Sequence, residues 1–350
     1  TVGVFVGRVT AVTATTITVS LTAKAGTAPT TGATGRTVKV GGAWKGPNAA
    51  EAFPYGFVQS TLTDAAGDPP RVNIKGGTNY AITAAMTHAN AGPIIWEGYT
   101  TTVGDGGRAT IDGGTVGASY TLLTTSGARN YFKNLIFQNN GATGSATAIS
   151  PTGQGTVFQG ITVNSIRGFG FSSANGNCYI ECEAYACNQS NTSLQGGFNV
   201  SVGGCTYVRC VSHDNVGTNS SGWVEAASSI NTVYERCIAD TNGQYGWLLR
   251  NELATRLINC DSYNNVSDGV RIDVGGANIY NAYLCNCNFI SNGGWGINNV
   301  DTTSRVTIVQ TCGFFGNTSG QTTGPADMIV NNSITLAASP PMLIPPLVID

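Results

Sequence analysis

Few side chains in this chain are suited to chemistry. Of 350 residues, 19 are Asp or Glu, 17 are Lys or Arg, two are His and ten are Cys. Two carboxylates roughly 5–10 Å apart can hydrolyse a glycosidic bond, one as acid and the other as base or nucleophile. Glu225, Asp240, Asp261 and Asp273 are the acids that could form such a pair. His213 is an acid–base candidate because imidazole titrates near neutrality. Tyr185, Trp223 and Tyr263 offer rings on which a sugar could stack. The ten cysteines could be a disulfide framework, a reduced core or a zinc site. Their local spacings (Cys178-x3-Cys182, Cys205-x4-Cys210, Cys285-x-Cys287) match no common zinc pattern and come without paired histidines. No metal and no cofactor is expected.

Which of these groups can meet depends on the elements that hold them. Six cysteines recur at Cys182, Cys210, Cys237, Cys260, Cys287 and Cys312, in steps of 28, 27, 23, 27 and 25 residues. An asparagine follows five residues later at Asn215, Asn242, Asn265, Asn292 and Asn317, while Asn188 sits at six. A glycine then leads into a large apolar residue at Gly197-Phe198, Gly222-Trp223, Gly246-Trp247, Gly269-Val270 and Gly296-Ile297. A shared period of about 25 residues is the mark of a stacked repeat. The segments between the marks are short and alternate apolar with polar residues, as in Arg256-Leu257-Ile258-Asn259-Cys260. That alternation is a strand signature, and the Asn, Gly and Ser clusters between are turns.

Short strands and turns in units of this length resemble the right-handed parallel β-helix superfamily, the pectate-lyase-like group that also includes phage tailspikes. Gly76-Gly77-Thr78-Asn79-Tyr80 resembles the opening coil of such proteins, and the resemblance covers residues 68–335. It implies an all-β fold, a parallel β-helix solenoid over residues 61–336. Residues 1–60 read as a β-rich cap or docking element, with weak helical capacity at Ala49 to Phe57, and 337–350 as an extended apolar tail that its prolines keep out of a helix.

In such a tube, coils stack about 4.8 Å apart and equal positions form columns. The six cysteines are expected to point inward as thiols, since parallel side chains in one column are poorly placed for bridging. Leu135, and Gly160 or Ile161, take the cysteine place in earlier coils; Cys178 and Cys205, 27 apart, would begin a second short column. The glycines before Phe198, Trp223 and Trp247 are expected at φ > 0 corners. Three residues after the cysteine, the columns put His213 beside Asp240, with Tyr185 and Tyr263 at the ends. Elsewhere they put Arg250 over Asp273 and Glu181 beside Arg209.

Only 10% of residues are charged and the net charge is −2, which argues against nucleic acid as a partner. No apolar run reaches 18 residues, so no membrane span is expected. Polygalacturonases of this superfamily carry Asn-Thr-Asp, Gly-His-Gly and Arg-Ile-Lys; only Arg271-Ile272-Asp273 comes near, with the opposite final charge. The resemblance therefore implies a non-enzymatic virion structural protein of a phage, a head-decoration protein or a tail fibre or spike component. The alternative is a tailspike-type polysaccharide depolymerase using Glu225, Asp240, Asp261, Asp273 or His213. Either would sit on the virion surface or outside the cell. Its expected partners are other virion proteins or copies of itself through residues 1–60 and 337–350, and cell-surface polysaccharide.

Overall fold

The structure is a computed structural model. It describes the backbone of residues 4–12 and 17–25, then residues 71–335 apart from 78, 89–92, 226–230, 251–253, 274–281, 301–306 and 325–327. The helical capacity at 49–57, most of the element 1–60 and the tail 337–350 lie outside the described residues. Within 1–60, strands Val4–Val12 and Ile17–Ala25 pair as an antiparallel hairpin. From Arg71 to Thr335 the described chain is an all-β solenoid without a helix. Its three parallel sheets hold 11, 11 and 10 strands. Each winding contributes one strand to each: Thr206–Val208 to the first sheet, Val211–His213 to the second and Ser220–Glu225 to the third.

The bend from first to second sheet is the tightest. One residue turns the chain, followed by the ladder residue. Asn134, Glu181, Arg209, Arg236, Asn259, Asn286 and Thr311 make that turn with φ of 52–56°. The left-handed conformation suits asparagine and costs other residues about 1–2 kcal/mol. The next residue points inward, giving the column Ala109, Leu135, Ile161, Cys182, Cys210, Cys237, Cys260, Cys287 and Cys312. Ile161 therefore holds the place, and Gly160 is the turn (φ 61°). All six cysteines of the column are buried free thiols. Each donates to a carbonyl of the previous winding: Cys210 to Tyr179 at 3.4 Å, Cys237 to Tyr207 at 3.4 Å, Cys260 to Tyr234 at 3.5 Å.

Two expectations are corrected by the register. Cys178 lies opposite Thr206, not Cys205, so there is no second thiol column; Cys178 is half-buried and Cys205 fully buried. The glycines before Phe198, Trp223 and Trp247 do not take positive φ. They are glycines because the interior has no room: a Cβ on Gly222 would lie 2.6 Å from the Gly246 carbonyl oxygen, and one on Gly197 would lie 2.0 Å from Ser212 Oγ.

The interior is a set of stacks. In the first sheet Phe132, Phe158, Tyr179, Tyr207 and Tyr234 lie ring on ring, with centroids 4.7–5.3 Å apart. In the third sheet Phe171, Phe198, Trp223 and Trp247 do the same at 4.7–5.1 Å. The second sheet supplies Ala184, Ser212, Ala239 and Ser262 at these levels. Higher up it supplies Phe289 and Phe314, where the third sheet narrows to Val270 and Ile297. Large therefore faces small at each level, which keeps packing dense. Between second and third sheets, Asn215, Asn242, Asn265, Asn292 and Asn317 pass amide hydrogen bonds of 2.6–2.9 Å from winding to winding. In the winding of Cys182 that place is held by Cys187, whose N–H donates to Asn215 Oδ1 at 3.1 Å; Asn188 is offset by one.

Candidate functional site on the outer face of the second sheet

The strands of the second sheet are mostly three residues long, with the middle residue inward and the outer two on the outside face. The residue after the ladder position gives one outer column, Thr162, Glu183, Val211, Ile238, Asp261 and Asn288. The third residue gives the other, Asn164, Tyr185, His213, Asp240, Tyr263 and Ile290. His213, Asp240 and Asp261 thus share a surface, together with Glu183.

His213 is set between two carboxylates. Its Nε2 lies 3.2 Å from Glu183 Oε1 and its Nδ1 lies 2.8 Å from Asp214 Oδ2. Both nitrogens donate when the ring is protonated. Burial alone would lower its pKa, but the hydrogen bonds and charges of Glu183 and Asp214 outweigh it and raise it. Glu183 Oε2 also accepts from Thr162 Oγ1 at 3.0 Å, and Thr162 is reached by the Arg108 guanidinium at 2.6 Å. Burial opposes ionisation of Glu183; the His213 and Thr162 hydrogen bonds prevail and lower its pKa. The Tyr185 ring stacks on His213 at 5.1 Å and 15°.

Asp240 is the register neighbour of His213, yet the imidazole bonds elsewhere. Asp240 Oδ1 accepts from Thr241 Oγ1 at 2.9 Å and from Asn264 Nδ2 at 3.3 Å. Asp261 is only 7% exposed. It accepts from Asn288 Nδ2 at 2.8 Å, and burial raises its pKa despite that bond. Asp240 and Asp261 are diagonal neighbours on adjacent parallel strands, which at the usual strand spacing and rise sets their Cα atoms about 8 Å apart.

Other expected residues fall elsewhere. Asp273 is on the outer face of the third sheet, in register with Arg250. Glu225 is 0% exposed because it stands two residues after the inward Trp223. Its carboxylate is held inside the tube by Tyr234 Oη at 2.6 Å and Thr255 Oγ1 at 2.9 Å, so no polymer on the surface can reach it. Trp223 is likewise 0% exposed and sandwiched between Phe198 and Trp247, so neither face is open to a sugar. Tyr263 is 3% exposed, its hydroxyl pushed upward in pKa by burial and by Asp261. Of the three aromatics, Tyr185 alone is half-exposed. Glu181 pairs with Arg209 at 2.7 Å, a solvated contact.

Reading the positions one before and three after each cysteine misses Glu183, Thr162 and Arg108. The signal for Glu183 is its place directly after Cys182: an inward residue is followed by an outward one. Arg108 carries no such signal, because its side chain spans two windings. Among the described residues no three His, Cys, Asp or Glu side chains gather as a metal site.

No family model and no curated protein matches the chain. Solved structures do. Pectate lyase Pel9A superposes with a TM-score of 0.60 at 18% identity, covering 83% of this chain and 78% of that one. The ORF18 protein of Geobacillus virus E2 gives 0.57 at 14%, covering 80% and 56%. Tailspike protein gp49 of Acinetobacter baumannii bacteriophage Fri1, a capsular polysaccharide depolymerase, gives 0.52 at 11%, covering 75% and 52%. The chain thus spans little more than half of either phage protein. At these identities the likeness is one of fold: a right-handed parallel β-helix of the pectate-lyase-like kind.

Proposed function

We propose that this chain is a phage virion-surface protein of tail-spike type, whose solenoid is a rigid, non-enzymatic module facing cell-surface polysaccharide. The observation that carries this reading is the state of the carboxylates. Glu97 bonds Arg71 and Lys133; Asp112 accepts from Gln138, Asn139, Asn79 and Gly114; Asp268 accepts from Trp295 N and Asn298 and faces Arg271. Glu183, Asp261 and Glu225 are tied in the same way. Groups bound to the scaffold's own donors stabilise windings and are poorly free to move protons on a substrate. Docking to other virion proteins or to further copies is assigned to residues 1–60 and 337–350. Particles that still incorporate a chain lacking both segments would overturn that assignment.

A second reading, depolymerisation, is favoured by one feature: Asp240 and Asp261 share one outer face as diagonal neighbours, and the burial of Asp261 favours the protonated acid that glycoside hydrolysis needs. The test incubates the full chain with a panel of capsular and O-antigen polysaccharides. New reducing ends and absorbance of unsaturated ends are followed alongside binding. Binding without cleavage is expected. Cleavage that disappears in Asp240→Asn would replace the structural reading with the enzymatic one.

A further inference from the structure

A shallow pocket of about 340 Å³ opens on the solenoid at the C-terminal ends of third-sheet strands Ile149–Pro151, Phe171–Ser172 and Gln195–Val200. It lies on a different sheet from Glu183 and His213. Seven polar side chains line it, Ser150, Thr152, Gln154, Ser172, Ser173, Asn175 and Ser201, and all are hydroxyls or amides. Ala174 and Val202 add apolar surface. No ionisable group is in the lining.

The hydrogen-bond state of these groups indicates what they have left to offer. Thr152 Oγ1 donates to the Thr125 carbonyl at 3.4 Å and Ser201 Oγ to the Ser173 carbonyl at 3.2 Å. Their protons are committed to the scaffold, which leaves oxygen lone pairs as acceptors. Ser172 Oγ accepts from Asn199 Nδ2 at 3.4 Å and keeps its own proton to donate. Gln154 and Asn175 are exposed amides, each with two donors and an acceptor. Neutral donors and acceptors beside small apolar surfaces match a ligand that alternates hydroxyls with C–H faces. Nucleic acid would need cations here, and a peptide partner would need large anchors.

We propose that this pocket binds an uncharged saccharide segment, hexose or N-acetylhexosamine, lying along the tube axis. Ser150, Ser172 and Ser201 stand on three successive windings, a span of about 10 Å at the usual strand spacing. That is the length of a disaccharide. Arg129 is the cation alongside: its backbone N–H donates to the Gln154 carbonyl at 3.0 Å, and its side chain is outside the lining. The proposal rests on the polysaccharide-facing reading above and adds the place and the class of sugar.

The test is titration calorimetry of the full chain with neutral hexose and N-acetylhexosamine oligosaccharides and with matched hexuronate oligosaccharides. The variants are Ser150→Tyr, which fills the pocket, and Gln154→Ala/Asn175→Ala, which removes exposed groups with little effect on folding. Neutral oligomers are expected to bind, and each variant to weaken them at least tenfold with an unchanged melting point. Neutral binding that both variants leave intact overturns the pocket and spares the polysaccharide reading. Preference for hexuronates, lost in Arg129→Ala, overturns the neutral class. Absence of any saccharide binding overturns both.

Discussion

In the Cys182–Cys312 column, Cys182 and Cys210 are neutral donors among buried side chains. Burial pushes the pKa of Cys182 and Cys210 well above the usual thiol range, so they are poor nucleophiles. Under native conditions a disulfide-exchange reagent is expected to label Cys178 and Cys285 alone, the two half-exposed cysteines, and the other eight only after unfolding. Fast native labelling of more than two would contradict the column. Cys237→Ser keeps a donor for the Tyr207 carbonyl and is expected to cost about 1 kcal/mol, whereas Cys237→Asp strands a carboxylate and costs several. Urea midpoints separate the two. His213 and Glu183 give a pH signature. The raised His213 pKa contributes stability that is full below its unfolded value of 6.5 and is lost as pH rises through the raised folded value. The lowered Glu183 pKa contributes stability present above 4.5 and lost as pH falls through the lowered value. The destabilisation caused by His213→Gln is therefore expected to be largest, about 1 kcal/mol, between pH 4.5 and 6.5 and to shrink by pH 8.5. Urea titrations at pH 5.5 and 8.5 check this; equal losses at both would show that the ion pair contributes nothing.

At the scale of the winding, the asparagine ladder and the turns carry the predictions. Asn265→Ala removes a middle rung and takes the Asn265 Oδ1 acceptor from both the Asn242 backbone N–H and one Asn242 side-chain N–H in a buried site, leaving Asn242 Nδ2 only the Ser212 carbonyl. The expected loss is about 3 kcal/mol, read from the denaturation midpoint, and less for Asn317→Ala at the ladder's last rung. Arg236 holds φ of 54° with an exposed side chain. Arg236→Asn is expected to raise stability by up to about 1 kcal/mol, and a lowered midpoint would count against the strained turn. Much of this was legible in the sequence. The cysteine and asparagine marks gave the period, and the place three residues after each cysteine gave the column Tyr185, His213, Asp240 and Tyr263. Two things were less legible. Glu225 looks like a surface residue by composition, but its distance of two from Trp223 sends it inward. The glycines before the aromatics look like corners, yet their cause is a close approach from the next winding, which no single strand reveals.

At the scale of the whole molecule, the described windings share one plan, so stability is close to a sum of coils and coil-to-coil interfaces. Deleting residues 260–286 would bring Cys287 onto Cys237, Asn292 onto Asn242 and Ile297 onto Trp247. The shortened chain is expected to keep a β-rich circular dichroism spectrum and a single cooperative melt, a few degrees lower. Loss of folding would show that the coils are not interchangeable.

The backbone bonds between neighbouring strands all run lengthwise through the tube. A push on its tip is met by every sheet together, whereas a pull peels windings from an end, one after another. Compression along the axis therefore loads the tube in its stiff direction. Tugged by an optical trap instead, it should lengthen in a sawtooth, about 25 residues at each tooth.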